Sequence, residues 1–518
     1  MSCNNIHPTD IHRYQRKTTN AFVTITTIAI LVTSIFTITN SYIIPKPVYG
    51  LTAGQRAQQN TAIPPELAAS TINSGKTPST GIFNITKGYI IKPVLWNLTL
   101  PSSVAFDGKG NMFVAEAGMG FGGLQPTPRI LKIDVNGTVS LLTDRILVGP
   151  ITNIVYHQGE LYVANKAKIS TVNPVNGATK DIITGLPAGG DHPTNQIAFG
   201  ADGRLYFAQG SATNSGVVGE DSFSPNLGWL ASFPFVHDIP ANNITLTGQN
   251  FDTPNLLADG PKDVHVVKDF IAKISTTKTN KPDITSSGKG TGAVSGNVTV
   301  NVTTGAFMAF GNSTHKGQLV KGDVRCSACI LSAKPDGTDL KLVAWGMRLD
   351  AFTGLTFDQS GKHLIVTDPG AEERGSRPIK GDEDKIWRID VSNPSNLGKW
   401  YGWPDYFGGK NKELKPVTDP QFRSPRGGSK PLQFVMQNHP SPLVPKLFAD
   451  AGYAVKLTEA ALSHPNSNFG FGGMAFIGEY GTHAPFTHEF LQKVKEYLPG
   501  NNNKTIIGQK IIKLDTKT

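Results

Sequence analysis

Four times along this 518-residue chain an apolar strand runs into a Gly-containing turn and straight back out as a second apolar strand. The copies are PSSVAFDGKGNMFVAEAG (101–118), ITNIVYHQGELYVAN (151–165), TNQIAFGADGRLYFAQG (194–210) and TGLTFDQSGKHLIVTDPG (353–370), with GGMAFIGEYG (472–481) as a degenerate fifth. Phe106, Tyr156 and Phe199 hold equivalent places at spacings of about 40 to 50 residues, the length of one four-stranded propeller blade. A second strand pair follows each of the first two hairpins, RILKIDVNGTVSLLT and KISTVNPVNGATKDIIT. The hairpin therefore supplies the inner strands of a unit and the follower supplies the outer ones. A four-stranded sheet cannot bury both faces alone, whereas radial packing covers both and leaves only short edges. The repeat predicts an all-β propeller whose loops gather around a central channel.

Two excursions interrupt the period. The wide spacing between the Phe199 and Phe357 units leaves room for an insertion over about residues 211–325, and a second gap spans roughly 400–470 and opens with KWYGWPDYFGG. Such excursions from a propeller usually cover or line the substrate face. Composition fits a turn-rich β protein: Gly 55, Pro 35, charged residues 17%. The net charge of +10 is spread along the chain with no basic run interleaved with aromatics, so nucleic-acid binding is not expected.

The N-terminus sets the compartment. Residues 1–20 are polar and carry His12, Arg13, Arg16 and Lys17 ahead of an uncharged run, Ala21 to Ile38. A run of about 18 apolar residues is near the lower limit for spanning a bilayer, and basic residues on its N-terminal flank hold that end in the cytoplasm. No small-x-small cleavage site follows, so an uncleaved transmembrane anchor is expected over a cleaved signal, with 1–20 as a cytoplasmic tail. Residues 39–90 are rich in Pro, Thr, Ser and Asn and read as a tether that presents a body over 91–518 on the outer side. Eight Asn-x-Ser/Thr sequons fit an exported chain.

Residues 186–210, LPAGGDHPTNQIAFGADGRLYFAQG, resemble the glucose/sorbosone dehydrogenase family, six-bladed propellers related to soluble quinoprotein glucose dehydrogenase. The resemblance continues in order through CILSAKPDGTDLKLVAWGMR (329–348), LTFDQSGKHLIVTDPGAEERGS (355–376), GDEDKIWRI (381–389) and WYGWPDYFGG (400–409). It implies a six-bladed ring and oxidation of a sugar or alcohol with hydride transfer to pyrroloquinoline quinone (PQQ). By that resemblance His192 is the general base, Asp191 orients its ring, and Arg348 is the cation that stabilises the reduced quinone's oxyanion. The carbonyls of Gly370 and Ala371 match the family's calcium-binding loop, and Asn153 and His483 stand near its cofactor contacts. Trp403 reads as a structural plug between blades.

The chain also departs from that pattern. Leu349 replaces the family's Asn, an extra pair of residues precedes Gly354, Ser211 stands where an acidic residue is common, and Pro193-Thr194-Asn195-Gln196 follow the base. These departures leave a second reading open: a propeller without turnover that binds a glycan or a protein at the cell surface. A metal-dependent oxidase on the same scaffold is a third. Cys326 and Cys329 form a lone C-x-x-C with no second ligand pair, so a local disulfide or two free thiols is expected rather than a zinc site.

Overall fold

The computed structural model describes residues 72–73, 76–80, 88–118, 126–145, 147–223, 229–254, 301–350, 353–409, 413–425, 431–440, 449–453, 457–463, 473–479 and 510–516. Among them there is no α-helix, only strands and short 3-10 turns, and no helix long and apolar enough to cross a membrane. The anchor expected at 21–38 and most of the 39–90 tether lie outside the described residues.

The first hairpin and its follower form one antiparallel sheet in chain order: β1 (Pro101–Phe106), β2 (Met112–Glu116), β3 (Arg129–Ile133) and β4 (Val139–Thr143). The β1–β2 turn shows why Asp and Gly recur there. The Asp107 carboxylate accepts the N–H groups of Lys109 and Asn111, and Gly108 and Gly110 take φ of +72° and +102°. The second unit repeats the plan with β5 (Ile151–His157), β6 (Glu160–Asn165), β7 (Lys168–Val172) and β8 (Thr179–Ile183).

The third unit opens with β9 (Thr194–Phe199) and β10 (Leu205–Gln209). Its insertion holds the short ribbon strands β11 (Ile244–Thr245), β12 (Asn250–Pro254), β13 (Asn301–Gly305) and β14 (Leu319–Val320). The blade then resumes with β15 (Cys329–Ala333) and β16 (Lys341–Trp345). Cys326 and Cys329 are joined in a disulfide at the entry to β15, as one of the two expected states. The fourth unit comprises β17 (Leu355–Phe357), β18 (His363–Asp368) and β19 (Glu383–Asp390). After β19 the chain adds β20 (Lys399–Trp400) parallel to β16 on the edge of the third sheet, then the hairpin β21 (Tyr406–Gly409) and β22 (Glu413–Pro416). It returns as β23 (Ala449–Tyr453) to complete the fourth sheet. A three-stranded sheet of β24 (Leu457–Leu462), β25 (Met474–Glu479) and β26 (Lys510–Asp515) closes the described chain.

The described residues thus hold five blade-like sheets, and a sixth is not seen among them. Residues 88–99, which precede the first blade, carry no strand. The fifth sequence copy sits one strand later than its pattern suggests, because 474–479 is the middle strand β25 and the inner place belongs to 457–462. The folded body also reaches back into the expected tether: Ile72 is buried against Val104 and Val114, and the Asn73 carboxamide oxygen accepts the N–H of Trp96 at 2.9 Å.

The inner strands pack side by side in the order β1, β5, β9, β17, β24, which makes the sheets radial. Aligning the hairpins places Ser103, Asn153, Gln196 and Gly354 at one equivalent position. The first three perform the same task. Ser103 Oγ accepts the Ile154 N–H at 3.1 Å, Asn153 Oδ1 accepts the Ile197 N–H at 3.1 Å, and Gln196 Oε1 accepts the Leu355 N–H at 2.5 Å. Each side chain satisfies a backbone donor on the exposed edge of the next blade's inner strand. At Gly354 the next blade's backbone comes so close that a Cβ would stand 2.6 Å from both Ala460 N and Thr458 O. Thr367 takes over there, donating to Thr458 O at 3.1 Å. Between the blades the space is filled with apolar side chains, Phe113, Ile130, Ile151 and Leu161 between the first two, and Tyr206 edge-on to Phe357 at 5.1 Å between the third and fourth.

Asn153 therefore serves the ring: its amide nitrogen also donates to Ser103 Oγ at 3.2 Å, so both ends of its side chain are engaged between blades rather than turned to a cofactor. Replacing it by Ala leaves the buried Ile197 N–H without an acceptor. Chemical denaturation of Asn153→Ala without any ligand should show a loss of about 1–3 kcal/mol; unchanged stability would mean that the stitch carries no weight.

Candidate active site

Strands of a blade alternate in direction, so the connection entering an inner strand and the connection leaving the second strand emerge at the same end of the ring. Four such connections converge: residues 184–193 before β9, 210–216 after β10, 346–354 before β17 and 369–382 after β18. They bring His192, Ser211, Arg348, Asp350, Gly370 and Arg374 together from two adjacent blades. At Gly210 any Cβ would collide with the His192 Cβ and the Leu349 carbonyl, so the chain can pass between them only as glycine.

His192 is 4% exposed. The Ser211 hydroxyl donates to Thr213 O at 2.6 Å, so at its 3.0 Å contact with His192 Nδ1 the hydroxyl oxygen is the acceptor. The imidazole is thereby held with its hydrogen on Nδ1 and its lone pair on Nε2. Arg348 Nη2 donates to that lone pair at 3.3 Å, and Asp350 Oδ1 lies 3.3 Å from the same nitrogen. Arg348 Nη1 meets Asp350 Oδ2 at 2.9 Å and the Gly370 carbonyl at 3.2 Å, while its Nε is buried without an acceptor. Burial pushes the His192 pKa down to about 4; Asp350 opposes this and Arg348 reinforces it. The ring is neutral at physiological pH and can accept a proton only at Nε2, where Asp350 is placed to receive the resulting N–H.

Two of the expected roles are reassigned. Asp191 does not hold the His192 ring: its carboxylate takes Trp229 Nε1 at 2.6 Å and Arg374 Nη2 at 2.8 Å, and Ser211 does the orienting. The Gly370 carbonyl is directed to the Arg348 guanidinium. The acidic residues nearby serve backbone donors: Asp368 accepts the Leu349 N–H and Trp387 Nε1, Asp384 accepts the Gly370 and Leu457 N–H groups, and Asp382 accepts those of Ala371 and Gly408 with Lys385 alongside. Among the described residues no cluster of His, Cys, Asp or Glu could hold a metal ion. His483 lies outside the described residues.

Three contributors escaped sequence reasoning. Asp350 lies in the extra pair after Leu349, which looked like a simple insertion. Arg374 binds Asp191, Asp221 and Glu372 at once, and although it lies within the 355–376 segment no role was expected of it; Trp229 lies in the insertion, outside any motif. The insertion is thus tied into the site wall. Asp238 holds the Ser211 loop from behind, taking Ala212 N and Thr213 Oγ1, and burial raises its pKa to about 7. Trp403, expected as a plug between blades, is 5% exposed and packs against the insertion, donating to Asn214 O at 3.2 Å and standing edge-on to Phe307 at 6.3 Å. Beneath it the Arg377–Asp405 pair is fully buried at 2.8 Å and binds backbone of the insertion and of residues 433–436. A cavity of about 520 Å³ lies between inner strands toward the other end of β9, lined by Val155, Phe199, Phe357 and Ala460, away from His192.

No protein-family model matches the chain, and no curated protein does. Solved structures that match it include the PQQ-bound aldose sugar dehydrogenase from Streptomyces coelicolor, 14% identical over 74% of this chain and 75% of that one, with a TM-score of 0.35. Others are the apo soluble aldose sugar dehydrogenase from Escherichia coli, 9% identical over 74% and 80% with a TM-score of 0.36, and a calcium structure of a Trichoderma reesei family AA12 protein, 14% identical over 75% of each with a TM-score of 0.37. A nidogen/laminin complex also matches, at 11% identity over 62% and 72% with a TM-score of 0.26. Likeness this distant assigns no chemistry to the chain, which rests on its own residues.

Because the folded pKa of His192 lies below its ordinary value of about 6.5, the unfolded chain takes up this proton first as pH falls. His192 thus costs stability progressively between about pH 6.5 and 4, on the order of 3 kcal/mol at the lower end. His192→Gln should narrow the gap between melting temperatures at pH 7 and pH 4.5; an equal gap in both proteins would place the imidazole in a wetter setting than the structure gives it.

Proposed function

We propose that the protein is an oxidoreductase of the glucose/sorbosone dehydrogenase kind that oxidises a sugar or alcohol, with His192 as the base. The observation that carries this reading is the His192–Arg348 pair: a neutral imidazole of fixed tautomer whose lone pair faces a buried guanidinium where two blades meet. A hydroxyl that enters between them gives its proton to Nε2. Arg348 then steadies the negative charge building on oxygen, and Asp350 holds the new Nε2–H. Ser211 keeps the ring from turning, and Trp229 closes the wall on the insertion side.

PQQ, which the sequence resemblance implies, fits in one respect: the buried Arg348 Nε lacks an acceptor, and a quinone oxygen would provide one. When bound, that group supplies the acceptor for the substrate's hydride. Calcium at Gly370 and Ala371 does not fit, since the Gly370 carbonyl already meets a guanidinium and the neighbouring carboxylates are bound to N–H groups. We place the body on the outer side of a membrane, tethered by residues 21–38. The disulfide supports an oxidising compartment.

A second reading, glycan or protein binding without turnover, is favoured by one observation: His192 Nε2 is already met by Arg348 and Asp350 and is scarcely exposed. Turnover decides between them. The purified full-length protein, given PQQ and a panel of aldoses and alcohols, should reduce an artificial electron acceptor, and His192→Ala should lower the rate at least about 100-fold. Absence of turnover across the panel, or undiminished turnover in the variant, would remove the enzyme reading.

A further inference from the structure

We infer that Lys166, with the aromatic turn at 233–235, forms a subsite for a carboxylate on the sugar, so that the preferred ligand is a sugar acid. Lys166 lies in the tight turn between β6 and β7, at the same end of the ring as His192. That turn is pinned on both sides, by Lys166 N–H to Val148 O at 3.1 Å and by Leu186 N–H to Ala167 O at 3.0 Å. The second bond ties it to the loop that carries His192. From there the Lys166 ammonium reaches over the Phe233 ring, 4.9 Å from its centroid. Phe233 belongs to the insertion turn that begins at Trp229, the residue bonded to Asp191.

Among the described residues this ammonium has no carboxylate and no hydrogen-bond partner. A partly buried cation with no acid beside it is disfavoured by lost hydration, which a ring face offsets only in part; its pKa is lowered by burial accordingly. Asp191 and Asp221, the acids bonded through Arg374 to the same wall, are committed to that guanidinium. What is missing is one anionic oxygen. A single compact ammonium suits one carboxylate oxygen rather than the bidentate grip that a guanidinium gives. Phe235 stands perpendicular to Phe233 at 6.5 Å and is 48% exposed, an apolar face on which the C–H side of a pyranose can lie. Cation and ring together describe a hexuronate better than a neutral hexose.

This deepens the oxidoreductase reading by naming its substrate class and rests on that reading for the oxidation, whereas the binding step is measurable without it. Isothermal titration of the full-length protein at low ionic strength should show D-glucuronate binding about tenfold tighter than D-glucose. That preference should shrink as salt is added. Lys166→Met should bind the two sugars equally, Lys166→Arg should keep the preference, and Phe235→Ala should weaken both. Equal binding by the wild type, a preference that survives in a folded Lys166→Met, or binding of neither sugar would overturn the subsite. Discrimination between the sugars without any turnover would instead refute the dehydrogenase reading and leave the subsite standing.

Discussion

Everything at the functional end depends on how the inner strands are joined. An inner strand of a blade has a sheet partner on one side and only the next blade's inner strand on the other, so its axis-facing N–H groups lack ladder partners. Ser103, Asn153 and Gln196 supply acceptors from side chains, one to each successive strand, and where Gly354 leaves no side chain Thr367 instead donates its hydroxyl to the Thr458 carbonyl. Because these bonds set the height of each blade against the next, they also set where the loops emerge. His192 comes from the loop before β9 and Arg348 from the loop before β17, and a slip between the blades would pull the two apart.

The site is built around charge that is already largely compensated. Arg374 gathers Asp191, Asp221 and Glu372, and Arg348 is shared among His192, Asp350 and the Gly370 carbonyl. Desolvation is severe for an isolated buried charge and tolerable only for one that is paired and hydrogen-bonded. That rule explains why the acidic residues around Gly370 and Ala371 end on N–H groups. It also explains why an imidazole this deeply buried stays neutral. A bound cation is not needed to balance the carboxylates near Gly370, because Lys385 and the backbone do so.

Much of this architecture was legible from the chain. Alternating strands and Asp-Gly turns specify hairpins locally, and the regular spacing of Phe106, Tyr156 and Phe199 specifies their radial stacking. Asp191 and His192 were legible as a pair, yet the chain order misled about their relation: the two neighbours face different ways, and Ser211, from the connection after β10, holds the ring. Asp350 was hidden within what looked like extra loop. The last inner strand was misplaced by one element, because 457–462 lacks the turn that marks the others. The partners of Asn153 were invisible because both belong to other blades.

Local sequence alone therefore determined which segments are strands, where they turn, and that they stack about an axis, because these follow from side-chain alternation and turn chemistry within a few residues. Only the tertiary structure decided what His192, Arg348, Asp191 and Gly370 touch, and which carboxylates are spent on backbone donors. Those contacts join residues up to about 180 positions apart through blade-to-blade height, and hydrogen-bond direction at Ser211 is set by Thr213 rather than by any spacing in the chain.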